Sequence, residues 1–330
     1  MTMLLLFLAV EGPTVDRVCA TCHKAIVERY YGSKAAGHGS NMARALLGVD
    51  QALPLRDNRK FEFKLGKYSY ALTGPKYTVT DGSATLAATL EYAFGQGAAG
   101  QTYVFKHEGL WYESRLSFYS ETKGLDLTMG EPQGEPRTLL EAAGREMSPK
   151  DVTECFACHT TNSIQSGKVS FEKLQAGVGC QNCHIDALKH ARTMQPATSL
   201  AKHTTEEQSD FCGRCHRTWA DIATNGPRGL GNVRFQPYRI ANSKCYDTAD
   251  RRIACTACHD PHGPLQTNAK AYDSRCVNCH SAAAGKKTCS NKQVDNCASC
   301  HMPKYEIPGS HHQFTDHQIR IVRPNEKYPN

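Results

Sequence analysis

Residues 155–159 read CFACH, and the same C-x-x-C-H spacing returns at 180–184 (CQNCH), 212–216 (CGRCH), 255–259 (CTACH), 276–280 (CVNCH) and 297–301 (CASCH), with one early copy at 19–23 (CATCH). Fourteen of the sixteen cysteines fall in these seven copies, leaving Cys245 and Cys289 over. At this cysteine and histidine content chance would supply roughly 0.03 copies of a pattern whose chemical reading is covalent attachment of a c-type haem. Two thiols three residues apart share one side of a helical turn, so both can form thioethers to the neighbouring vinyl groups of one porphyrin. The histidine after the second thiol then lies under the ring as an axial iron ligand. Zinc also uses C-x-x-C half-sites, but zinc leaves unexplained a histidine that follows all seven pairs.

The thioether positions are therefore Cys19 and Cys22, Cys155 and Cys158, Cys180 and Cys183, Cys212 and Cys215, Cys255 and Cys258, Cys276 and Cys279, and Cys297 and Cys300. The proximal iron ligands are His23, His159, His184, His216, His259, His280 and His301. Composition agrees with seven haems. The apolar content of the 330 residues is 40% with cysteine included; without cysteine it is about 35%, below the globular norm, so porphyrin faces are expected to supply interior surface. A mean hydropathy of −0.52 excludes a polytopic membrane protein, and the one apolar run, Leu4 to Val10, is far too short to span a bilayer. The formal charge of +7 invites a nucleic-acid reading. Haem removes it: the two propionates on each of seven haems add about −14 in total, and seven ferric centres about +7, so the loaded protein is near neutral oxidised and about −7 reduced. No basic block interleaved with aromatics suggests DNA or RNA.

Cys155 comes 132 positions after His23, whereas successive proximal histidines from His159 to His301 are 25, 32, 43, 21 and 21 apart. Such intervals leave little room for separate cores, and the haems are expected to be close neighbours. Between Phe61 and Tyr119 the character changes: 13 of the 27 aromatic residues fall in 59 positions. Alternation at Phe61/Phe63/Leu65 and Tyr68/Tyr70/Leu72, with turns at Gly74-Pro75, Asp81-Gly82 and Glu108-Gly109, predicts antiparallel strands. One hairpin runs through Asp81-Gly82 and another through Glu108-Gly109, with Gly95, Gly97 and Gly100 in the loop between them. Pro136 to Met147 reads as a short amphipathic helix. Ser148 to Asp151 and Thr204 to Glu207 read as capping boxes ahead of two motifs, and the basic tail after Gln318 as a solvated extension.

The fold class expected is α+β, mainly short helices and loops wrapped around a chain of c-type haems, with a small antiparallel β unit inserted after the first haem. The divisions expected are 1–18 as the remnant of an export signal, 19–60 as a first haem module, 61–130 as the haem-free β unit and 131–330 as a hexahaem domain.

The seven motifs, the stretch CTACHDPHG at 255–263, and CASCHMP at 297–303 followed by Phe314-Thr315-Asp316-His317 resemble the multihaem c-type cytochromes, in particular the cytochrome c-554-like tetrahaem carriers of ammonia-oxidising metabolism and their larger relatives. The chain departs from the tetrahaem members by its seven motifs and its long haem-free segment. The resemblance implies haem attachment outside the cytoplasm, hence a periplasmic or extracellular protein. The apolar start, which lacks preceding basic residues and a clear cleavage site, reads as the tail of a signal that begins upstream. In an oxidising compartment Cys245 and Cys289 are candidates for a disulfide, with a free pair as the alternative.

Eight histidines remain for the far side of seven irons: His38, His107, His190, His203, His262, His311, His312 and His317. The resemblance favours His38, His262, His312 and His317, and His190 and His203 complete six distal candidates. His107 lies on a strand beside a turn, and His311 and His312 would point apart in an extended chain. One haem then stays open or takes another ligand, for which Met42 is the candidate, its alternative being apolar packing. The expected function is electron carriage between protein redox partners along closely spaced, mostly bis-histidine haems, with no catalytic side chain. Two alternatives stay open: a multihaem oxidoreductase of a small nitrogen or sulfur compound at an open haem, and a subunit of an extracellular cytochrome filament. Oligomerisation, and membrane association through partners or an upstream signal, are left open too.

Overall fold

A computed structural model describes residues 16–32, 39–52, 55–281, 295–323 and 325–329. The apolar start up to residue 15, the candidate ligand His38 and the candidate disulfide partner Cys289 lie outside them. The chain divides into two compact units, one of residues 1–198 with 262–264, the other of 199–261 with 265–330. All seven C-x-x-C-H motifs lie among the described residues.

The first unit opens with α1 (Asp16–Tyr31), which carries the first motif and leaves helical geometry at His23, where φ is −109° and ψ 36°. Val27, Tyr30 and Tyr31 form a small buried cluster on it, with Met42 and Cys19 packed alongside. The sheet then begins with β1 (Leu46–Gly48) and runs through β2 (Lys60–Leu65), β3 (Tyr68–Thr73), β4 (Lys76–Thr80), β5 (Thr85–Phe94), β6 (Gly100–His107) and β7 (Leu110–Ser114). Strands β2 to β7 pair in sequence as an antiparallel meander, while β8 (Leu116–Tyr119) turns back onto β6 and β9 (Gly124–Leu127) pairs with β8. Because β9 also comes alongside β2, the sheet curls on itself.

Both expected hairpins form. Thr80 faces Thr85 across the Asp81 loop. His107 faces Leu110 across Glu108-Gly109, whose φ values of 50° and 84° are the left-handed pair that a tight two-residue hairpin demands. The expected helix at 136–147 is shorter than the pattern suggests. It becomes α2 (Leu139–Ala143), capped by Thr138, and then β10 (Gly144–Glu146), which adds to the free side of β7. A Cβ at Gly144 would stand 2.1 Å from the Glu113 carbonyl oxygen, so only glycine admits this close pairing.

One irregularity decides which way the aromatics face. Leu90 pairs with Phe105 but Tyr92 pairs with Val104, so Glu91 is an extra residue in β5. A one-residue bulge reverses the side-chain alternation beyond it. Leu90 and Ala93 therefore join the interior core with Tyr77, Tyr103, Phe105 and Tyr112. Tyr92 and Phe94 turn to the outer face with Val104 and Trp111.

That outer face receives α3 (Pro149–His159), which carries the second motif. Ser148 and Asp151 close the expected capping box with proline in the first turn. Val152 and Phe156 bury themselves against β5 to β7, Phe156 being fully enclosed. Tyr92 and Phe94 both meet the Phe156 ring edge-on at 5.3 Å. Helices α4 (Cys180–Cys183), with the third motif, and α5 (Ala187–Thr193) follow.

The second unit holds α6 (Thr205–His216), α7 (Trp219–Asn225), α8 (Gln236–Ala241), α9 (Cys255–Cys258), α10 (Asp273–Val277) and α11 (Cys297–His301). The Thr204–Glu207 box caps α6 as expected, and Thr218 with Asp221 caps α7 the same way. The end of the chain departs in part from expectation: 321, 323 and 325–327 are exposed, but Tyr328 and Pro329 close onto the second unit. Arg239 on α8 has no solvent exposure. Its Nε and Nη2 donate to the two Asp316 carboxylate oxygens at 2.8 and 3.0 Å, Nη2 also to Gln318 at 2.6 Å, and Nη1 to the Pro329 carbonyl at 3.0 Å. The Tyr328 ring covers the guanidinium at 4.7 Å. A buried guanidinium needs partners for its donors, and the tail supplies them.

Candidate functional site

Three histidines of the C-x-x-C-H motifs each face a histidine from elsewhere in their own unit at one common separation. His23 on α1 and His190 on α5 have ring centres 6.1 Å apart. His184, just after α4, faces His262 at 6.1 Å with planes 11° apart. In the second unit His259 faces His317 at 6.1 Å. A metal bonded to both imidazoles at about 2 Å, with roughly 1 Å from each nitrogen to its ring centre, spans roughly 6 Å. The ring pairs are thus spaced for one iron between two imidazoles.

Backbone carbonyls prepare the rings. Nδ1 of His159 lies 2.8 Å from the Ala45 carbonyl oxygen, that of His184 3.1 Å from Thr198, that of His190 2.5 Å from Gln195, that of His301 2.8 Å from Arg320, and that of His317 3.0 Å from Thr315. A carbonyl only accepts, so Nδ1 carries the proton and Nε2 presents its lone pair. This is the orientation that metal-ligating histidines take from their surroundings. Burial pushes His317 down to about 4 and also lowers His216 and His259, which keeps these rings neutral and able to bind metal.

The Ala45 carbonyl, at the threshold of β1, and the Phe94 ring, edge-on to His159 at 5.2 Å and 90°, make the sheet part of the second motif's surroundings. In the second unit the hairpin of Lys304–Glu306 with Gln313–Thr315 returns the chain so that His317 reaches His259. The Arg239–Asp316 pair anchors the residue beside that ligand.

Of the distal candidates, the structure sets His190, His262 and His317 opposite motif histidines. His203 packs edge-on to Phe211 at 6.0 Å with Nδ1 buried. His312 packs edge-on to Phe314 at 5.0 Å, and His107 lies on β6 against Tyr112. Met42 sits among Cys19, Tyr30 and Tyr31.

The motifs also meet one another, through residues that reading for ligands passes over. Asp16, buried and three residues ahead of Cys19, accepts the backbone N–H of Cys180 at 2.9 Å and the hydroxyl of Tyr31. Asp273, three residues ahead of Cys276, accepts the N–H of Cys297 at 2.8 Å and of Asn296 at 2.5 Å. The shared D-x-x-C spacing is the signal that could have found them.

The residues present fit haem: paired thiols, paired imidazoles at iron spacing, and oriented tautomers. Comparison with known proteins agrees. Residues 120–185 match the family described as cytochrome c554 and c-prime. The chain is 23% identical to a protein described as multiheme cytochrome MtrA of Shewanella baltica (strain OS185), over 61% of this chain and 58% of that one. The match therefore spans little more than half of that relative. The fold resembles the crystal structure of the outer cell wall cytochrome OcwA, with a TM-score of 0.54 and 15% identity over 93% of this chain and 79% of the other. The motifs and the paired histidines suit the same chemistry, and the chain is similar to multihaem c-type cytochromes.

Proposed function

We propose that all seven motifs carry haem and that the protein is an exported electron carrier, working between protein redox partners through mostly bis-histidine haems. The observation that carries this reading is the common 6.1 Å separation of the pairs His23–His190, His184–His262 and His259–His317. Haem bound between such pairs supplies reversible one-electron exchange at iron. The chain does the rest. The paired imidazoles would hold the iron in either oxidation state, the carbonyls at Nδ1 hold the ring planes, and the motif cysteines would keep the cofactor from leaving. The distal set proposed is His190, His262 and His317 by geometry, with His38, His203 and His312 for the remaining irons. The matched structure's name as an outer cell wall cytochrome supports placement outside the cytoplasm. Among the described residues no helix is long and apolar enough to cross a membrane.

The test is intact mass together with visible and electron paramagnetic resonance spectra of protein matured in a competent periplasm. Seven haem masses and low-spin ferric signals are the expected result. A high-spin signal that responds to nitrite, hydroxylamine or cyanide would move the reading to a small-molecule oxidoreductase, and a chain without added mass would end it.

A further inference from the structure

Six of the motifs meet in twos at their first cysteines, and one acceptor side chain closes each meeting. At motifs one and three, the Asp16 carboxylate and the sulfurs of Cys19 and Cys180 all lie within 4.8 Å of one another. The same carboxylate takes the Cys180 N–H. At motifs six and seven, Cys276 and Cys297 interact, and Asp273 takes the Cys297 N–H. At motifs four and five, Cys212 and Cys255 interact. There the acceptor is Gln208, almost fully buried, whose Oε1 takes the N–H and the hydroxyl of Thr256 at 2.7 and 2.9 Å. The three acceptors play like roles, though Gln208 lies four residues rather than three ahead of its first cysteine and takes Thr256, the residue after Cys255; only two of the three are charged.

We propose that Asp16 and Asp273 are positioning residues that also tune potential, keeping the haems of motifs one and three and of motifs six and seven harder to reduce than those of motifs four and five, where neutral Gln208 stands. Oxidation adds a positive charge at iron, and a fixed carboxylate nearby stabilises that state, the more so where water is excluded. Of the nearby acids, Asp250 is already paired with Arg252 at 2.6 Å. Lys270, which pairs with Asp295 and also acts on Asp273, offsets part of the Asp273 charge. The buried Asp16 should therefore have the larger effect.

This inference rests on the haem reading above, and its test separates the two. Holoprotein and its variants are first weighed for full haem content, then titrated potentiometrically with visible and paramagnetic resonance detection. Asp16→Asn, which keeps one amide oxygen for the Cys180 N–H, should move two one-electron steps upward by roughly tenfold in the ferrous-to-ferric ratio, about 59 mV for a one-electron couple. Asp273→Asn should move two others upward by less. Gln208→Glu should move a third set downward. Fully loaded variants with an unchanged titration overturn the proposal. Where Asp16→Asn loses haem, Gln208→Glu decides by itself, a downward shift supporting the proposal and none overturning it; loss of haem from both reduces the acceptors to structural clasps and overturns it too. Wild-type protein without haem would instead overturn the reading beneath it.

Discussion

The curled sheet of the first unit and the whole of the second unit solve the interior problem in opposite ways. The sheet fills itself: Tyr68, Leu72, Tyr77, Val79, Leu90, Tyr103, Phe105 and Leu116 are each at most 2% exposed. In the second unit, among the described residues, the buried apolar side chains are Ile222, Val233, Tyr238 and Ala254, while Arg239, Asp316, Asn232 and Gln208 are buried and polar. Hydrophobic burial is the main favourable force in folding, so the sheet can stand on its own side chains. The second unit has polar clasps and thiols where a core would be. Its apolar interior must come from outside the polypeptide.

The sharpest attempt to break this contrast is to withhold haem. In protein expressed without haem attachment, hydrogen exchange read by mass spectrometry should show protected amides through β2 to β10, and free exchange across 205–281 and 295–320. Equal protection of both stretches would refute the contrast.

Next in size is deletion of Glu91. Without the bulge, either Leu90 or the pair Tyr92 and Phe94 must face the wrong side, and each buried side chain contributes about 1.5–3 kcal/mol. Denaturant unfolding of the loaded protein should fall by several kcal/mol, with the paramagnetic signature of the second haem altered. A wild-type midpoint would show that the sheet's outer face does not matter to α3.

In the second unit Arg239→Leu takes from buried Asp316 the partner that bonds both its oxygens, leaving it Arg320 at 2.6 Å, and should cost up to about 3–5 kcal/mol. The same measurement on Arg239→Leu/Asp316→Leu should recover much of that loss. An equal cost for single and double variants would mean that the charges are not what the tail fastens to.

The smallest effect belongs to the cap of α3. Ser148→Ala should cost about 1 kcal/mol in thermal or denaturant unfolding. Burial opposes the charge of Asp151, but its bonds from Ser148 and Arg145 prevail and lower its carboxyl below the usual value. The cap's contribution is therefore complete above about pH 4 and lost as pH falls further. A loss that begins near neutral pH would point to another group.

What could be read ahead of the structure follows from the range of each interaction. The haem motifs, both capping boxes and both hairpins are local patterns, in which residues two to four apart meet whatever surrounds them. The bulge at Glu91 could not be read: Phe61/Phe63 and Tyr92/Phe94 look alike as alternations, and pairing with β6 decides which pair turns outward. The end of the helix at Ala143 was hidden for the same reason, because the free edge of β7 claims Gly144–Glu146. The tail looked solvated because Arg239, its partner, lies 77 residues before Asp316.

The amino-acid sequence by itself determined the chemistry: where thiols and histidines can hold iron, how many such places exist, and that a self-filling β segment separates the first from the rest. Tertiary structure alone decided which distant imidazole meets which motif, which motifs share an acceptor, and whether that acceptor is charged. Covalent spacing is written along the chain, whereas ligation from the far side and the local field depend on residues up to 164 positions apart, as with Asp16 and Cys180, which only folding brings within hydrogen-bond reach.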